Sequence, residues 1–169
     1  MLIRRREVLK AVGAALVGFA PGAFAENRVL VPNERKTAMT SRPLMTVNIA
    51  AAPPQQLGTV PHGTRSIVPV TGGSFEGPRL RGKVLPGGGD WLLLRPDGVL
   101  ELDLRITLET DDHALIYMTF QGLRHGEYFR TLPRFETSTE SYVFLNRIVS
   151  VGVGEARPDG AVHRIDEIL

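Results

Sequence analysis

The sequence of 169 residues predicts an all-β fold. No stretch of ten or more residues after position 44 shows a clean helical period of 3.6. Instead, short runs rich in β-branched, leucine and aromatic residues recur, and clusters of glycine and proline separate them. The length is sufficient for one domain and too short for two ordinary ones. Because the chain has no cysteine, a disulfide scaffold and a cysteine-ligated metal are both excluded.

Nine candidate strands follow one another along the chain. Their predicted ranges are 44–51, 66–71, 79–85, 91–95, 99–109, 114–123, 127–131, 144–153 and 161–168. Turn-forming strings mark many of the boundaries, namely Pro53-Pro54, Gly72-Gly73, Pro86-Gly87-Gly88-Gly89, Pro96-Asp97-Gly98 and Pro158-Asp159-Gly160. Residues 26–43 show no periodicity, so we expect a linker or an extended arm before a domain at 44–169.

The central hairpin is the most clearly defined element, because apolar and polar residues alternate on both of its strands. A two-residue loop at Asp111-Asp112 would set leucines opposite polar residues. A three-residue loop with His113 in the left-handed conformation pairs residue 110 with 114, and histidine tolerates a positive φ. This register gives an apolar face of Leu102, Leu104, Ile106, Leu108, Ile116, Met118 and Phe120. The opposite face carries Asp103, Arg105, Thr107, Tyr117, Thr119 and Gln121.

The first 25 residues have the parts of an export signal peptide. A basic start precedes a mild apolar stretch, and Ala23-Phe24-Ala25 offers small residues where signal peptidase reads, so we expect cleavage after Ala25 and a periplasmic protein. Arg5-Arg6-x-Val8-Leu9-Lys10 is similar to the twin-arginine motif, which engages an export machinery for folded proteins. The alternative is an uncleaved anchor, but about 15 apolar residues fall short of a bilayer span.

The leader also carries the positive charge of the chain, which is +2 in total at neutral pH. Four basic residues and one acidic residue lie in it, which leaves 16 basic and 17 acidic residues in 26–169. A net charge of −1 on the mature chain removes the electrostatic case for a nucleic-acid partner.

Five strings of the mature chain resemble one family. They are Gly72-Gly73-x-Phe75-x-Gly77-Pro78-x-Leu80-x-Gly82, Gly88-Gly89-Asp90-Trp91, Thr110-Asp111-Asp112, Tyr128-Phe129-Arg130-Thr131-x-Pro133-x-Phe135-Glu136 and Tyr142-x-x-Leu145-Asn146. In this order they are similar to the bacterial and fungal family called domain of unknown function 3237. His113 stands where that family usually has glycine, and Phe144 where it often has tryptophan.

The resemblance implies a closed or nearly closed antiparallel meander barrel of about eight strands, similar in shape to allene oxide cyclases and dirigent proteins. It implies no particular activity. If the apolar face of the hairpin lies inside, side chains fill the lumen, as ordinary soluble sheets favour. If the polar face lies inside, Arg105, Asp103 and Tyr117 line a pocket, and a second subunit must cover the apolar exterior. The cyclase-like barrels, which hold ligands and oligomerise, favour this second orientation.

Three residues are predicted to be catalytic. Asp90 precedes Trp91, and a carboxylate held against an indole has the raised pKa that a proton-abstracting base requires. Its alternative role is to cap a turn. Arg105 and Tyr117 are candidate oxyanion stabilisers. Their alternatives are a surface ion pair with Asp103 and a half-buried ring with a solvated hydroxyl.

The predicted ligand-binding residues are Trp91, Asp103, Tyr128, Arg130, Phe135 and Asn146. Trp91 and Phe135 would form apolar walls, and Arg130 would hold an acidic group, unless its loop is simply a solvated edge. No metal is expected, because the four histidines lack the spacing of metal ligands. No cofactor is expected either, since the glycine-rich strings open no predicted helix that could hold a phosphate.

Two hypotheses of different classes follow. The first is a periplasmic barrel that binds a small hydrophobic or acidic molecule. It would act as a cofactor-free isomerase or cyclase on a hydrophobic carbonyl compound, with Asp90 as the base. The second is a noncatalytic structural or accessory barrel that binds a partner protein or forms a homo-oligomer. A cavity in the lumen favours the first hypothesis, and a fully packed lumen favours the second.

Overall fold

Ten strands and one short helix make up residues 38–169, the part of the chain that the computed structural model describes. The strands are β1 (Ser41–Ala51), β2 (Gln55–Val60), β3 (Gly63–Glu76), β4 (Arg81–Val84), β5 (Gly89–Leu94), β6 (Leu100–Thr110), β7 (Leu115–His125), β8 (Tyr128–Glu136), β9 (Ser150–Arg157) and β10 (Gly160–Ile168). A 3-10 helix, Glu140–Arg147, lies between β8 and β9. The predicted export signal and most of the predicted arm lie outside the described residues. No helix in 38–169 is long and apolar enough to cross a bilayer.

The strands close into an antiparallel barrel with eight positions. Around the barrel these are β1, β10, β9, β8, β7, β6, a position shared by β4 and β5, and β3, which pairs back with β1. β4 and β5 share a position because both pair with successive stretches of β3 and β6. β2 pairs with the first part of β3 and extends the wall. The all-β meander barrel expected from the resemblance is confirmed.

The central hairpin has the predicted three-residue turn. Residues 104 and 120 are partners in the ladder, and Thr110 donates its backbone N–H to the carbonyl of Ala114 at 3.0 Å. His113 has a φ of 65°, which is the left-handed conformation the register required. Because the turn contains three residues, even-numbered residues of β6 pair with even-numbered residues of β7. Each face of the hairpin is therefore uniform in polarity.

The apolar face of this hairpin fills the lumen. All seven of its predicted members are buried: Leu102, Leu104, Ile106, Leu108, Ile116, Met118 and Phe120. Closing the sheet turns one face of every strand inward, and burial of apolar area favours the face without charges. The orientation that placed Arg105, Asp103 and Tyr117 in the lumen, under a covering subunit, is therefore not the one adopted.

The 3-10 helix packs against the core at the end of the barrel that carries the β6–β7 turn. Leu145 is 1% exposed within the core cluster, and the Tyr142 hydroxyl donates to Asp112 at 2.9 Å. The predicted strand over 144–153 is wrong in its first half, because the chain is helical through Arg147 and β9 begins at Ser150. A short apolar run such as 143–145 has no period that separates a strand from a helix.

Several other boundaries differ from the prediction. β3 continues through the Gly72-Gly73 pair that was predicted to separate strands, and β8 extends to Glu136, beyond its predicted end at 131. β2 is an additional strand, with few apolar residues and a bulge next to Gly58. β1 begins at Ser41, within the predicted arm, and its first residues are fixed to β10 by the ion pair of Arg42 with Glu167 at 2.8 Å. Hydrophobic periodicity marks neither of these last two boundaries, and at the start of β1 the polar pairing with β10 replaces it.

We expect two neighbouring substitutions on β6 to differ sharply in stability. Leu104→Ala removes a side chain buried in the lumen and should lower the free energy of unfolding by about 2–5 kcal/mol. Arg105→Ala removes an exposed ion pair with Asp103 and should cost less than about 1 kcal/mol. Urea denaturation followed by circular dichroism measures both values. Equal losses would mean that the two faces of β6 are not separated as described.

Candidate functional site

A cavity of about 140 Å³ lies in the lumen, at the end of the barrel opposite the 3-10 helix. It reaches the β7–β8 and β9–β10 turns, and its lining residues come from eight strands. Apolar and small side chains dominate the lining: Ile49, Ala51, Val68, Val70, Leu92, Leu100, Leu102, Leu104, Phe120, Phe129, Ala156, Gly160 and Ala161. The remaining lining residues are Asp90, Arg124 and His163. A mostly apolar lining with a few polar groups is typical of small-molecule sites, and this cavity is smaller than most of them, which enclose about 300–1,000 Å³.

Asp90 enters the cavity from the second residue of β5. It pairs with Val68 and Leu104 of the neighbouring strands, which places its side chain on the lumen side of the barrel wall. The backbone N–H of Asp103 donates to its Oδ1 at 2.9 Å and fixes the carboxyl group. Burial raises the pKa of Asp90 to about 6, although this hydrogen bond lowers it in part. Asp90 thus has the proton affinity of a general base that works near neutral pH.

His163 reaches the same cavity from β10 on the other side of the barrel. It is 1% exposed, and its ring lies 4.7 Å from the ring centroid of Phe120 and 5.1 Å from that of Phe129. Burial lowers the pKa of His163 to about 4, so the imidazole is neutral at physiological pH. Its Nδ1 is buried and has no hydrogen-bond partner in the described part of the chain. A buried polar atom without a partner is costly in a fold.

The position of the Phe129 ring depends on a missing side chain on β9. A Cβ added to Gly154 would lie 2.6 Å from two atoms of this ring. The ring therefore packs directly against the backbone of β9 and contacts His163 edge-on. This packing places an aromatic wall beside the imidazole and leaves the centre of the cavity open.

The three residues predicted to act together do not share this cavity. Only Asp90 lines it. Arg105 points outward and donates to Asp103 at 3.0 Å, and Tyr117 is 38% exposed on the outer face of β7. The alternation that turns Leu104 and Ile116 inward necessarily turns Arg105 and Tyr117 outward. Asp90 also owes its raised pKa to burial in the lumen and not to contact with an indole, because Trp91 faces the other side of the strand.

Four of the predicted ligand-binding residues meet in a second place, an open groove on the outer wall. Trp91, Asp103, Tyr128 and Arg130 line it, together with other residues of β5 to β8. The guanidinium carbon of Arg105 lies 5.0 Å from the ring centroid of Trp91, and that of Arg130 lies 5.0 Å from the ring of Tyr128. These stacked pairs hold their charges in solvent, where such contacts contribute little free energy.

The last two predicted residues lie at the closed end. Phe135 is buried in the core, and Asn146 in the 3-10 helix exchanges hydrogen bonds with the backbone of Thr137 at 2.8 and 2.9 Å. Both therefore have evident structural roles, far along the chain and the barrel from the Asp90 cavity. Among residues 38–169, no three histidine, aspartate or glutamate side chains lie close enough to hold a metal ion.

The sequence-based prediction did not include His163 or Arg124 as site residues. Both lie at inward positions of strands that it did identify, since His163 alternates with Ile165 and Arg124 continues the series of Met118 and Phe120. A polar residue in phase with the apolar face of a strand is the signal that could have revealed them. This signal can be interpreted only when the open end of the barrel is known. Without that knowledge, a polar residue at the end of a strand is assumed to be in solvent.

Comparison with known proteins identifies the family. A family model described as "Protein of unknown function (DUF3237)" matches residues 39–128, more than half of the chain. The chain belongs to this family. A UPF0311 protein of Rhodopseudomonas palustris is 33% identical over 130 residues, which cover 66% of this chain and 85% of that protein. A UPF0311 protein of Clostridium acetobutylicum is 33% identical over 124 residues, 63% of this chain and 78% of that protein.

Solved structures show the same barrel in relatives of this DUF3237 protein. A β-barrel-like protein from Acinetobacter baumannii has a TM-score of 0.76 at 33% identity, covering 79% of this chain and 98% of its own. A protein described as an enzyme from Penicillium herquei has a TM-score of 0.69 at 23% identity, covering 80% of this chain and 98% of its own. At that identity the second likeness establishes the shared fold alone.

Asp90 and His163 have opposite effects on the way the free energy of unfolding changes with pH between about pH 4 and 6. Asp90 has a pKa of about 6 when folded, against 3.8 normally, so the folded chain keeps a proton that the unfolded chain releases. This group makes the free energy of unfolding fall as the pH rises. His163 has a pKa of about 4 when folded, against 6.5 normally, so only the unfolded chain is protonated in this range. That group makes the free energy of unfolding rise with pH.

Single substitutions should therefore change the pH dependence of stability in opposite directions. Relative to the unsubstituted chain, Asp90→Asn should make the free energy of unfolding rise more steeply from pH 4 to 6, by up to about 1.4 kcal/mol per pH unit. His163→Gln should change the slope by a similar amount in the opposite sense. Urea denaturation at a series of pH values tests both, and an unchanged slope in either variant would place that group outside the buried cavity.

Proposed function

We propose that this protein is a small-molecule-binding barrel whose lumen performs cofactor-free acid–base chemistry on a hydrophobic carbonyl compound. The observation that carries the proposal is the presence of one carboxyl group with a raised pKa, Asp90, and one buried neutral imidazole, His163, in a cavity whose other lining residues, apart from Arg124, are apolar or small. Perturbed ionisable groups that converge in a cleft are typical of active sites.

The reaction that these groups support is the transfer of a proton between carbon atoms. The Asp90 carboxylate takes a proton from the carbon next to the carbonyl group, and the electrons of that C–H bond form an enolate. Asp90 then returns the proton to another carbon of the conjugated system, so the substrate is isomerised and the enzyme is unchanged. No oxidant, reductant or cofactor is needed, because atoms and electrons balance within the substrate.

His163 supplies the polar contact that such a substrate requires deep in the cavity. A neutral imidazole can donate through one ring nitrogen and accept through the other. The carbonyl or enolate oxygen of a ligand would accept from this ring, in surroundings where water does not compete. Phe120 and Phe129 hold the ring plane from two sides, which keeps the imidazole oriented before a ligand binds.

The size of the cavity limits the substrate. A volume of about 140 Å³ is similar to that of an engineered apolar cavity that binds benzene. We therefore expect a single six-membered ring, or a branched chain of equal volume, as the part of the substrate that enters the lumen. The alternative function, a noncatalytic accessory barrel, is supported by the open outer groove but leaves the buried Asp90 and His163 without a role.

Deuterium exchange provides a direct test. Cyclohex-2-enone, a ring ketone of suitable size, is incubated with the full-length protein in deuterated buffer, and deuterium next to the carbonyl group is measured by NMR. We expect exchange above the buffer rate, and Asp90→Asn should reduce the enzyme-dependent rate about 10²- to 10⁴-fold, which is the usual contribution of a general base.

Asp111→Asn is the matched control for this experiment. Asp111 is an exposed aspartate that pairs with Arg81 at the closed end of the barrel. Its replacement should leave the exchange rate unchanged, and circular dichroism should show that both variants are folded. An exchange rate no greater than that of buffer, or an equal loss in the two variants, would refute the proposed chemistry.

We also propose that the chain works in the periplasm after export through its N-terminal leader. The basic start, the apolar stretch and the Ala23-Phe24-Ala25 string support this proposal. In a bacterial host with a twin-arginine translocase, we expect the mature protein in the periplasmic fraction with Glu26 as its first residue. Replacing Arg5 and Arg6 together by lysine should retain the precursor in the cytoplasm. Normal export of that variant would contradict the twin-arginine route, and recovery of the full-length chain would contradict cleavage.

A further inference from the structure

Arg124 is the one guanidinium group on the lining of the lumen cavity within residues 38–169. It lies in phase with Met118 and Phe120 on β7, so its side chain starts from the inward face of the strand. Its guanidinium carbon lies 5.7 Å from the ring centroid of Phe129. The residue is partly buried, and its ladder partners are Leu100 and Phe129. A permanent positive charge therefore borders an apolar cavity.

This charge has no carboxylate partner among the described residues. Of the eleven other arginines in residues 38–169, six form ion pairs with aspartate or glutamate and five do not, but of all the unpaired ones only Arg124 lines the lumen cavity. Arg124 contacts an aromatic ring instead. A guanidinium group carries a fixed positive charge with several N–H donors, so an anion that reaches this end of the cavity can pair with it.

Arg124 and Asp90 occupy different levels of the cavity. The β6 partner of Arg124 is Leu100, and the β6 partner of Asp90 is Leu104, four residues further from the open end. At about 3.3 Å per residue, these levels are about 13 Å apart along the strand. The guanidinium group thus belongs to the mouth of the cavity, and the carboxyl group to its interior. A ligand that spans both has its reacting carbon inside and a second polar group at the mouth.

We infer that Arg124 selects ligands that carry an anionic group, specifically a carboxylate attached to a small ring. This inference rests on the proposed function, since it assigns the substrate class of the same cavity. The ring occupies the apolar lumen beside Phe120 and Phe129, and the carboxylate points outward to the guanidinium group. Arginine matches a carboxylate well because two parallel N–H groups can bind both oxygens.

The test compares two ligands of nearly identical shape that differ in charge. Benzoate and benzamide are titrated into the full-length protein at pH 7.5, and dissociation constants are measured by calorimetry. We expect the unsubstituted chain to bind benzoate more tightly than benzamide. Arg124→Gln should weaken benzoate binding about 10- to 100-fold, the usual value of a charge-assisted hydrogen bond, and leave benzamide binding nearly unchanged.

Two further variants separate charge from packing. Arg124→Lys keeps the charge and should keep the preference for benzoate, although the two-pronged contact is lost. Arg164→Gln removes an exposed guanidinium group from the outer face of β10 and should change neither dissociation constant. Thermal melting of each variant shows whether the fold is retained.

The possible results distinguish the inference from the function on which it rests. Equal affinity for the two ligands, or equal losses for both in Arg124→Gln, would overturn the assignment of Arg124 while benzamide binding still supports a ligand-binding lumen. If neither ligand binds the unsubstituted chain while cyclohex-2-enone exchange is observed, the carboxylate class is wrong and the acid–base function stands. If both experiments are negative, the cavity is not a site for ring compounds of this size.

Discussion

The structure depends on one constraint, the burial of an uncharged strand face inside a barrel of only eight positions. A barrel of this size has an interior that side chains nearly fill, so it can be either a solid core or a core with room for one small ligand. Because the leucines and isoleucines of β6 and β7 take the inward positions, the charged residues of the same strands are forced outward. The location of any lumen site is then decided by the few inward positions that are not large and apolar.

Those exceptions are concentrated at one end of the barrel. At the closed end, the 3-10 helix places Leu145 against the core, and Phe135 lies nearby. At the open end, small residues such as Ala51, Ala156 and Ala161 line the wall, so the interior is not filled. The same end holds Asp90, Arg124 and His163. Unfilled volume and polar groups therefore occur together, whereas genuinely empty cavities in protein cores are lined by apolar groups.

Much of the fold followed from the sequence because local rules act within single strands and turns. The register of the central hairpin was predictable, since only a left-handed residue at His113 keeps both faces uniform. The helix at Glu140–Arg147 and the strand β2 were not, because neither has a distinctive hydrophobic period. For the candidate site, Asp90, singled out by its position after three glycines, lines the lumen cavity, whereas Arg105 and Tyr117, expected to act with it, face outward. Residues that meet in a barrel lumen come from strands far apart in sequence, and hydrophobic alternation alone does not show which strands face one another across the axis.

Fold stability alone does not account for the polar groups of the cavity. Burying an ionisable side chain in an apolar environment is costly, and the raised pKa of Asp90 and the lowered pKa of His163 are both measures of that cost. An apolar residue of similar volume at position 163 would keep the contacts with Phe120 and Phe129 and would leave no unpartnered ring nitrogen. Under the function proposed above, a ligand would complete the interactions of the carboxyl, imidazole and guanidinium groups. The cavity would then run from a fixed cation at its mouth to a proton acceptor in its interior, and this direction would determine how a substrate enters.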